Sequence, residues 1–238
     1  MRLNALLLVA ALAVAGAGSL HAGTCLYGIS GLVETPDDTI ADPSAVTFEG
    51  RYIAHFADSK TNVFSYGGTI GILPTLEVGA IAFDTDAPGH KVEGIFNVKY
   101  RVMEESFDRP SVTVGALDVA NRLGRVISSA YVDKVSGFLV VGRNLASAAQ
   151  SWGSLVSKPL KGTLGFGTGI YRGVFVGLDW SASSKVDLMA EYLTRGLRQK
   201  STLNAGLRLN AAGGLSVEVG TIGFKDIYGG ASYTLSTY

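Results

Sequence analysis

The sequence has little net charge, few charged residues and almost no cysteine. Its 238 residues include 20 basic and 20 acidic side chains, so no charge excess favours binding to nucleic acid or to an acidic surface. The single Cys cannot form an intramolecular disulfide, so an exported domain would have to be stable without one. Charged residues make up 17% of the chain, below the roughly 25% typical of soluble domains. This deficit favours a surface that largely contacts something other than water.

Long apolar runs are absent after the first 22 residues, which excludes a transmembrane helix there. Residues 1–22 have Arg2 before an apolar run from Ala5 to about Ala17, too short to span a bilayer. We interpret residues 1–22 as a signal peptide cleaved after Ala22. Cys25 lacks the Leu and small residue that normally precede a lipidated Cys, so we expect a free thiol.

Glycine is abundant, at 31 residues, and apolar residues alternate with polar ones along most of the chain. The stretch LNAGLRLNAAGGLSVEVG at 203–220 shows the pattern on both sides of a Gly-containing turn. Such alternation suits a soluble β-sheet with its apolar face inward, or a membrane barrel with its apolar face outward and its polar face around the lumen.

The alternation predicts about twelve strands, an even number as in bacterial outer-membrane barrels. Strands of about nine to eleven residues fit a tilted crossing of the hydrocarbon layer. The predicted fold is therefore an all-β, antiparallel transmembrane barrel over residues 44–238, preceded by a periplasmic N-terminal segment at 23–43. The predicted strands lie near 44–54, 61–73, 75–84, 91–103, 110–120, 126–134, 136–144, 172–181, 185–194, 201–210, 214–223 and 226–236.

The connections predict an orientation. Short turns at 74–75, 135–136, 181–184 and 211–214 all fall on one side, and the longest connection, Leu145 to Tyr171, falls on the other. Outer-membrane barrels have short periplasmic turns and longer external loops. We therefore expect both termini in the periplasm and the long connection outside.

The polar face of the strands supplies candidate lumen residues. They could guide a charged or polyhydroxyl solute, or they could pair with one another and fill a narrow interior, and the sequence leaves both readings open. The candidates are Glu49, Arg51, Glu77, Lys91, Glu93, Lys99, Arg101, Arg143, Asp179, Asp187, Glu191, Arg208 and Glu218.

No catalytic or metal site is predicted. His55 and His90 fall in predicted loops, where solvated side chains are the more common case. The run DTDAPG at 84–89 begins like a calcium loop but has Pro88 and Ile95 where ligands belong. The Gly-rich run GFGTGIYRG at 165–173 lacks the Lys-Ser/Thr of a phosphate loop. We expect no cofactor.

Several stretches resemble the YjbH family of outer-membrane barrel proteins, which is associated with exopolysaccharide production. GLVETP at 31–36 matches the family's opening signature through Gly31, Leu32, Thr35 and Pro36. Asp37 and Asp38 depart from the Ser-Ala usual after it, and full-length members are longer than this chain. Further matches are PSVTVGALDV at 110–119, SSAYV at 128–132, GVFVGLDW at 173–180 and LMAEY at 188–192.

The resemblance implies a role in the secretion, assembly or anchoring of extracellular polysaccharide at the outer membrane. Three alternatives stay open: a general porin-like solute channel, an outer-membrane enzyme with a loop site around His55 or His90, and a soluble secreted β-barrel or sandwich. The expected partners are outer-membrane lipid, the barrel-assembly machinery that would read the final strand YGGASYTLSTY, and polysaccharide or envelope-secretion proteins.

Overall fold

A computed structural model shows a closed barrel of twelve antiparallel strands. The structure describes residues 23–56, 61–86, 89, 92–125, 135–145, 159–195 and 200–236. The predicted fold class is confirmed. The strands are β1 (Val46–Ile53), β2 (Val63–Leu73), β3 (Leu76–Thr85), β4 (Glu93–Met103), β5 (Ser111–Leu117), β6 (Ser136–Asn144), β7 (Leu160–Gly167), β8 (Gly173–Ser183), β9 (Val186–Leu193), β10 (Thr202–Asn210), β11 (Leu215–Ile222) and β12 (Asp226–Leu235).

Each strand pairs with its neighbours in sequence, and β1 closes the ring on β12 through pairs such as Val46 with Leu235. Closure leaves no unpaired sheet edge. We call the end where the chain enters β1 and leaves β12 the terminal end, and the opposite end the far end. The described helices are three-residue 3₁₀ turns at Leu123–Arg125, Gly169–Tyr171 and Ala212–Gly214, and none of them could cross a membrane.

The exterior of the barrel is apolar, as the alternation predicts. In the hairpin of β10 and β11, Leu203, Leu209, Val217 and Val219 are exposed on the outside, whereas Arg208 and Glu218 are buried inside. Because successive side chains of a strand point to opposite faces, the same alternation continues around the ring. This exterior matches the lipid-facing band of a membrane barrel.

The structure corrects one strand and the connections around it. Strand β7 lies within the region 145–171 that we expected to be one external loop, while the predicted strand 126–134 lies outside the described residues. Because β5 pairs directly with β6, residues 135–136 are not the hairpin turn that we expected. They instead lead into β6 at the far end of the barrel. The β6–β7 connection consequently lies at the terminal end, together with the short turns.

The N-terminal segment is inside the barrel rather than beside it. Residues 24–41 are buried, apart from the half-buried Thr39, and they hydrogen-bond to inward-facing side chains of the wall. We call this segment the plug. The expectation of a periplasmic segment at 23–43 is corrected by this arrangement, which satisfies the segment's backbone polar groups within the barrel.

An apolar layer closes the interior toward the far end. Its wall residues are the buried, inward-facing apolar side chains near the far ends of the strands, and we call them the far-end layer. Rings of this layer cover inward-facing glycines of neighbouring strands, so a side chain added at Gly165 would overlap Phe175 and one added at Gly115 would overlap Phe138. The far-end layer consists of Ile53, Val63, Phe83, Ile95, Leu117, Phe138, Phe175, Leu193 and Ile222.

Candidate functional site

The plugged lumen is the candidate functional site. The plug folds back on itself: Leu26 N donates to Val33 O (2.8 Å), and Leu32 N donates to Thr35 O (3.0 Å). Gly28, at a φ of 75° that favours glycine, allows one of the reversals. Gly23 lies beside Arg208 and Asp42 lies beside Gly71, so the plug begins and ends in the terminal half of the barrel.

The GLVETP motif at 31–36 forms the turn that docks on β9. Both Glu34 N (2.7 Å) and Thr35 N (3.1 Å) donate to the Glu191 carboxylate, and Thr35 Oγ1 donates to the same carboxylate at 2.6 Å. Asn204 Nδ2 on β10 donates to Glu191 at 2.7 Å and to Glu34 at 3.2 Å. A motif chosen from the sequence for its family resemblance is thus a turn bound to the wall, and the buried Glu191 carboxylate accepts three of its hydrogen bonds.

Glu77 on β3 holds two separate parts of the plug. Ser30 N and Ala41 N each donate to its carboxylate at 2.7 Å. Lys99 on β4, opposite Glu77 in the ladder, donates to Ser30 O at 2.7 Å and lies 3.8 Å from Glu77. Both wall side chains are 0% exposed. Their charges are compensated by each other and by the plug backbone.

The acidic pair Asp37 and Asp38 connects the plug to two lysines. Lys161 on β7 lies 2.7 Å from Asp38 and 3.8 Å from Asp37, and Lys99 lies 3.6 Å from Asp37. Burial alone would raise the pKa of Asp37, but Lys161, Lys99 and hydrogen bonds from Thr39 lower it to about 2. Asp37 and Asp38, which stand where the YjbH family usually has Ser-Ala, therefore make the ion pairs between the plug and the wall.

The first residues of the plug are held by an ion pair on β1. Arg51, which pairs with Glu49, donates to Cys25 O at 2.8 Å, and Thr24 Oγ1 donates to Glu49 at 2.7 Å. Cys25 is a free, fully buried thiol, as expected from the sequence. Burial raises the pKa of the Cys25 thiol to about 12, so this thiol is protonated and inert in the plugged barrel.

A second wall ion pair lies across β10 and β11. Arg208 Nε donates to Glu218 at 3.1 Å, and Tyr228 Oη donates to the same carboxylate at 2.7 Å. The guanidinium also reaches the plug, since Arg208 Nη2 donates to Gly31 O at 3.4 Å. In each of these two ion pairs both charges belong to the wall. The charge of Lys161, in contrast, is compensated by the carboxylates of Asp37 and Asp38 in the plug.

Inward-facing glycines leave room for the plug. A side chain at Gly79 would overlap the backbone of Gly28, one at Gly142 would overlap Asp38, and one at Gly177 would overlap Leu32. Glycine in a strand often marks a close approach of another backbone. The abundance of glycine noted in the sequence therefore reflects in part the close contact between wall and plug.

Aromatic rings separate the plug from the far end. Tyr171, in the 3₁₀ turn between β7 and β8, packs edge-on against Tyr27 of the plug at a ring-centroid distance of 6.0 Å. It also contacts Phe138 (5.9 Å) and Phe175 (5.5 Å) of the far-end layer, while its hydroxyl donates to Glu34 O at 3.0 Å. Plug and far-end layer are therefore continuous, and they fill the lumen in series.

Most of the predicted lumen residues do face the lumen. Glu93 and Arg101 sit nearer the two rims, and Glu93 is paired with Arg122 and Arg125, at 3.5 Å each, near the far end. Arg143 is a wrong assignment, because its alternation partners Gly142 and Val140 are the buried ones and its own side chain is exposed on the outside. Lys91 lies outside the described residues. The inward-facing residues are Glu49, Arg51, Glu77, Glu93, Lys99, Arg101, Asp179, Asp187, Glu191, Arg208 and Glu218.

Sequence reasoning misses several residues of the site. Lys161 escapes it because its strand, LKGTLGFG, has only glycine or threonine at several positions where alternation would be visible. Asn97 and Asn204 lie on predicted strands, but a neutral amide gives no charge signal. Asn97 Nδ2 donates to Tyr27 O at 2.5 Å. The plug's own residues could not be found by strand periodicity, because the plug forms none of the twelve strands.

Of the two histidines considered for a loop site, the structure describes one. His55 is exposed in the β1–β2 connection, and its backbone N–H donates to Asn62 Oδ1 at 3.3 Å. His90 lies outside the described residues. Within the ranges that the structure covers, no three His, Cys, Asp or Glu side chains are grouped so that they could hold a metal ion.

Comparisons with known proteins extend only to the fold. No family model matches the chain, and no curated protein matches it. A solved structure called KdgM porin superposes with a TM-score of 0.53 at 10% identity, over 82% of this chain and 99% of that one. Outer membrane phospholipases of Salmonella typhi and Escherichia coli superpose at TM-scores of 0.38 and 9% identity, each over 82% of this chain and over 91% and 96% of their own.

The first of these similarities shows that the chain has the fold of an outer-membrane β-barrel. At 10% identity it shows the fold alone. The chain is thus a twelve-stranded barrel of the outer-membrane type whose lumen is filled by its own N-terminal segment.

Proposed function

We propose that this protein works in the outer membrane as a closed barrel in the assembly or anchoring of surface polysaccharide. The observation that carries the closed state is the filling of the lumen by two layers in series, the plug and the far-end layer. A hydrated solute would have to displace buried backbone hydrogen bonds in one layer and cross an apolar region in the other. Continuous passage of small solutes does not fit this interior.

The outer-membrane location is supported by the apolar exterior and by the fold shared with the KdgM porin structure. With the short turns on the periplasmic side, as is usual for outer-membrane barrels, the terminal end lies in the periplasm and the far end lies outside. The polysaccharide role is supported by the resemblance of GLVETP and the later stretches to the YjbH family. The docking of GLVETP on Glu191 gives that motif a structural role.

A gated channel is the second candidate, and one observation favours it. The wall behind the plug is polar and carries buried charges, although well-packed apolar residues would often fill a permanently closed interior at least as stably. Such a wall could be hydrated again if the plug left. The neighbour called a porin has the same fold, which is compatible with this second function.

Conductance and surface phenotype together separate the two candidates. The purified wild-type barrel and a variant lacking residues 24–41 would each be placed in planar bilayers, and a deletion strain would be assayed for surface polysaccharide. The closed-barrel function predicts no conductance in either protein and altered polysaccharide that the wild-type gene restores. Stepwise conductance of the wild type would overturn it, while conductance only of the plug-deleted barrel would favour the gated channel.

A further inference from the structure

Arg143 is an outward-facing arginine near the terminal end of the barrel. It precedes the last residue of β6, on the face shared with Leu139 and Val141. Its Nη2 donates to Phe107 O of the β4–β5 connection at 3.0 Å, which fixes the guanidinium against that loop. A charge on the outer face of a barrel costs little near the membrane interface but about 2–4 kcal/mol at the midplane. The position therefore suits the headgroup level of one leaflet.

Two carboxylates belong to the same rim. Glu105 accepts a hydrogen bond from Asn144 N at 2.8 Å, and Asp108 lies in the turn closed by Ser106 N donating to Arg109 O at 3.0 Å. The pKa of Asp108 is lowered mainly by the hydrogen bond from Ser106, and the charge of Arg143 adds to this. Phe107, at the tip of the turn, is 97% exposed. The same connection carries the exposed Glu104 and Arg109, so two cations and three anions surround a turn that presents an apolar ring.

An apolar groove runs along the outer face from this rim. It has a volume of about 640 Å³, and Pro110, Arg143 and Leu145 line one part of it. The groove follows one row of the ladder, in which Arg143 is opposite Gly162, then Leu178, then Ala190. Small residues at 162 and 190 form its floor. Its apolar walls are Val141, Leu164, Val176, Leu178, Tyr192 and Leu203.

We propose that this groove binds one zwitterionic aminophospholipid of the adjacent leaflet, with an acyl chain along the groove and the phosphate on Arg143. The amine of the headgroup would face the carboxylates of Asp108 and Glu105. Charge complementarity selects this occupant, because a phosphate next to an ammonium matches a guanidinium next to carboxylates. The site rests on the membrane location given under the proposed function and is independent of any conductance or polysaccharide role.

Native mass spectrometry of the detergent-purified full chain tests the site with short-chain phosphatidylethanolamine and, for comparison, phosphatidylglycerol. Arg143→Gln removes the phosphate partner, and Ala190→Phe fills the groove. The matched control is Ala80→Phe, because Ala80 is also an exposed, outward-facing alanine but lies on β3, away from the groove. Heat-dependent gel mobility verifies that each variant is a folded barrel.

The wild type and Ala80→Phe should bind phosphatidylethanolamine equally and more tightly than phosphatidylglycerol. Arg143→Gln and Ala190→Phe should each weaken this binding by about tenfold or more, the loss expected for one charge-assisted contact or a blocked chain site. Equal binding by all four proteins would mean only non-specific lipid and would overturn the site. It would also be overturned by equal binding of the two lipids, by no binding to the wild type, or by a second protein copy held in the groove.

Discussion

The two parts of the barrel interior fill the same kind of space by different means. In the far-end layer, side chains of the wall itself pack together, and rings such as Phe175 cover glycines on neighbouring strands. In the terminal half, a separate backbone segment enters, and its polar groups need partners on the wall or within the segment itself. The far-end layer is formed by the strands of the barrel, whereas the plug is a separate segment that binds to them as an intramolecular ligand.

This difference has an energetic consequence. Apolar packing in the far-end layer has no polar group that water could satisfy instead, so opening it exposes apolar surface. The plug's hydrogen bonds and ion pairs exchange with water at a small net cost, and buried ion pairs contribute more to a defined position than to stability. The polar half is therefore the part of the interior that can be rearranged, and the following predictions test this contrast.

Lys99→Met should produce the largest effect. Lys99 is 0% exposed and lies close to both Glu77 and Asp37, so its loss removes the cation that Glu77 pairs with and leaves Asp37 with Lys161 alone. We expect a loss of about 3–5 kcal/mol in the free energy of unfolding, measured by urea titration of the refolded barrel in detergent.

A second substitution tests the reason for this loss. Glu77→Gln in the Lys99→Met background removes one uncompensated charge and should recover a large part of the stability. Lys185→Met, in the exposed turn between β8 and β9, is the control and should be close to neutral. If Lys99→Met were as mild as Lys185→Met, the plug network would not be charge-compensated as described.

Phe175→Ala tests the far-end layer by its cavity. Phe175 is 1% exposed and packs on Tyr171 at 5.5 Å, so we expect a loss of about 3 kcal/mol without any movement of the plug. Phe166→Ala on β7 is the matched control, since Phe166 faces outward and is exposed. The same urea titration should give a clearly smaller loss for Phe166→Ala, and equal losses would contradict an apolar layer inside the barrel.

Acid should weaken the plug contacts through Asp37. Its pKa is lowered from 3.8 to about 2, so its stabilising contribution is complete above pH 3.8 and is lost as the pH falls toward 2. The shift corresponds to about 2 kcal/mol. Unfolding followed between pH 5 and pH 2 should show this loss in the wild type and less of it in Asp37→Asn. Identical pH profiles would mean that Lys99 and Lys161 do not hold the Asp37 carboxylate.

Strand alternation makes the wall predictable from the sequence, and two strands show its limit. Side chains on opposite faces meet different environments, so the pattern alone places Leu203, Arg208 and Glu218 on the correct faces. Arg143 is wrongly assigned to the lumen because it is charged. The alternation along β6 places Val140 and Gly142 on the inward face and therefore Arg143 on the outward face. Strand β7 escapes prediction because glycine contributes no side chain to the pattern.

The plug could not be predicted in the same way. Its contacts join residues far apart in sequence, such as Thr35 with Glu191, and no local periodicity records such a pair. The family resemblance draws attention to GLVETP but gives no indication of where the turn binds. Only the closed ring of strands shows that the segment preceding β1 fits into the polar lumen.

Thiol labelling of Cys25 tests the contrast by which part of the interior opens, rather than by the free energy of unfolding. Cys25 is the only cysteine of the chain, and with a pKa of about 12 and full burial it should not react with a maleimide at pH 8 in the native barrel. Lys161→Glu places a third carboxylate against Asp37 and Asp38, and we expect the resulting repulsion to expel the plug and allow labelling. Phe175→Ala, which affects only the far-end layer, should stay unlabelled. Rapid labelling of Phe175→Ala but not of Lys161→Glu would reverse the assignment and make the apolar layer the part that opens.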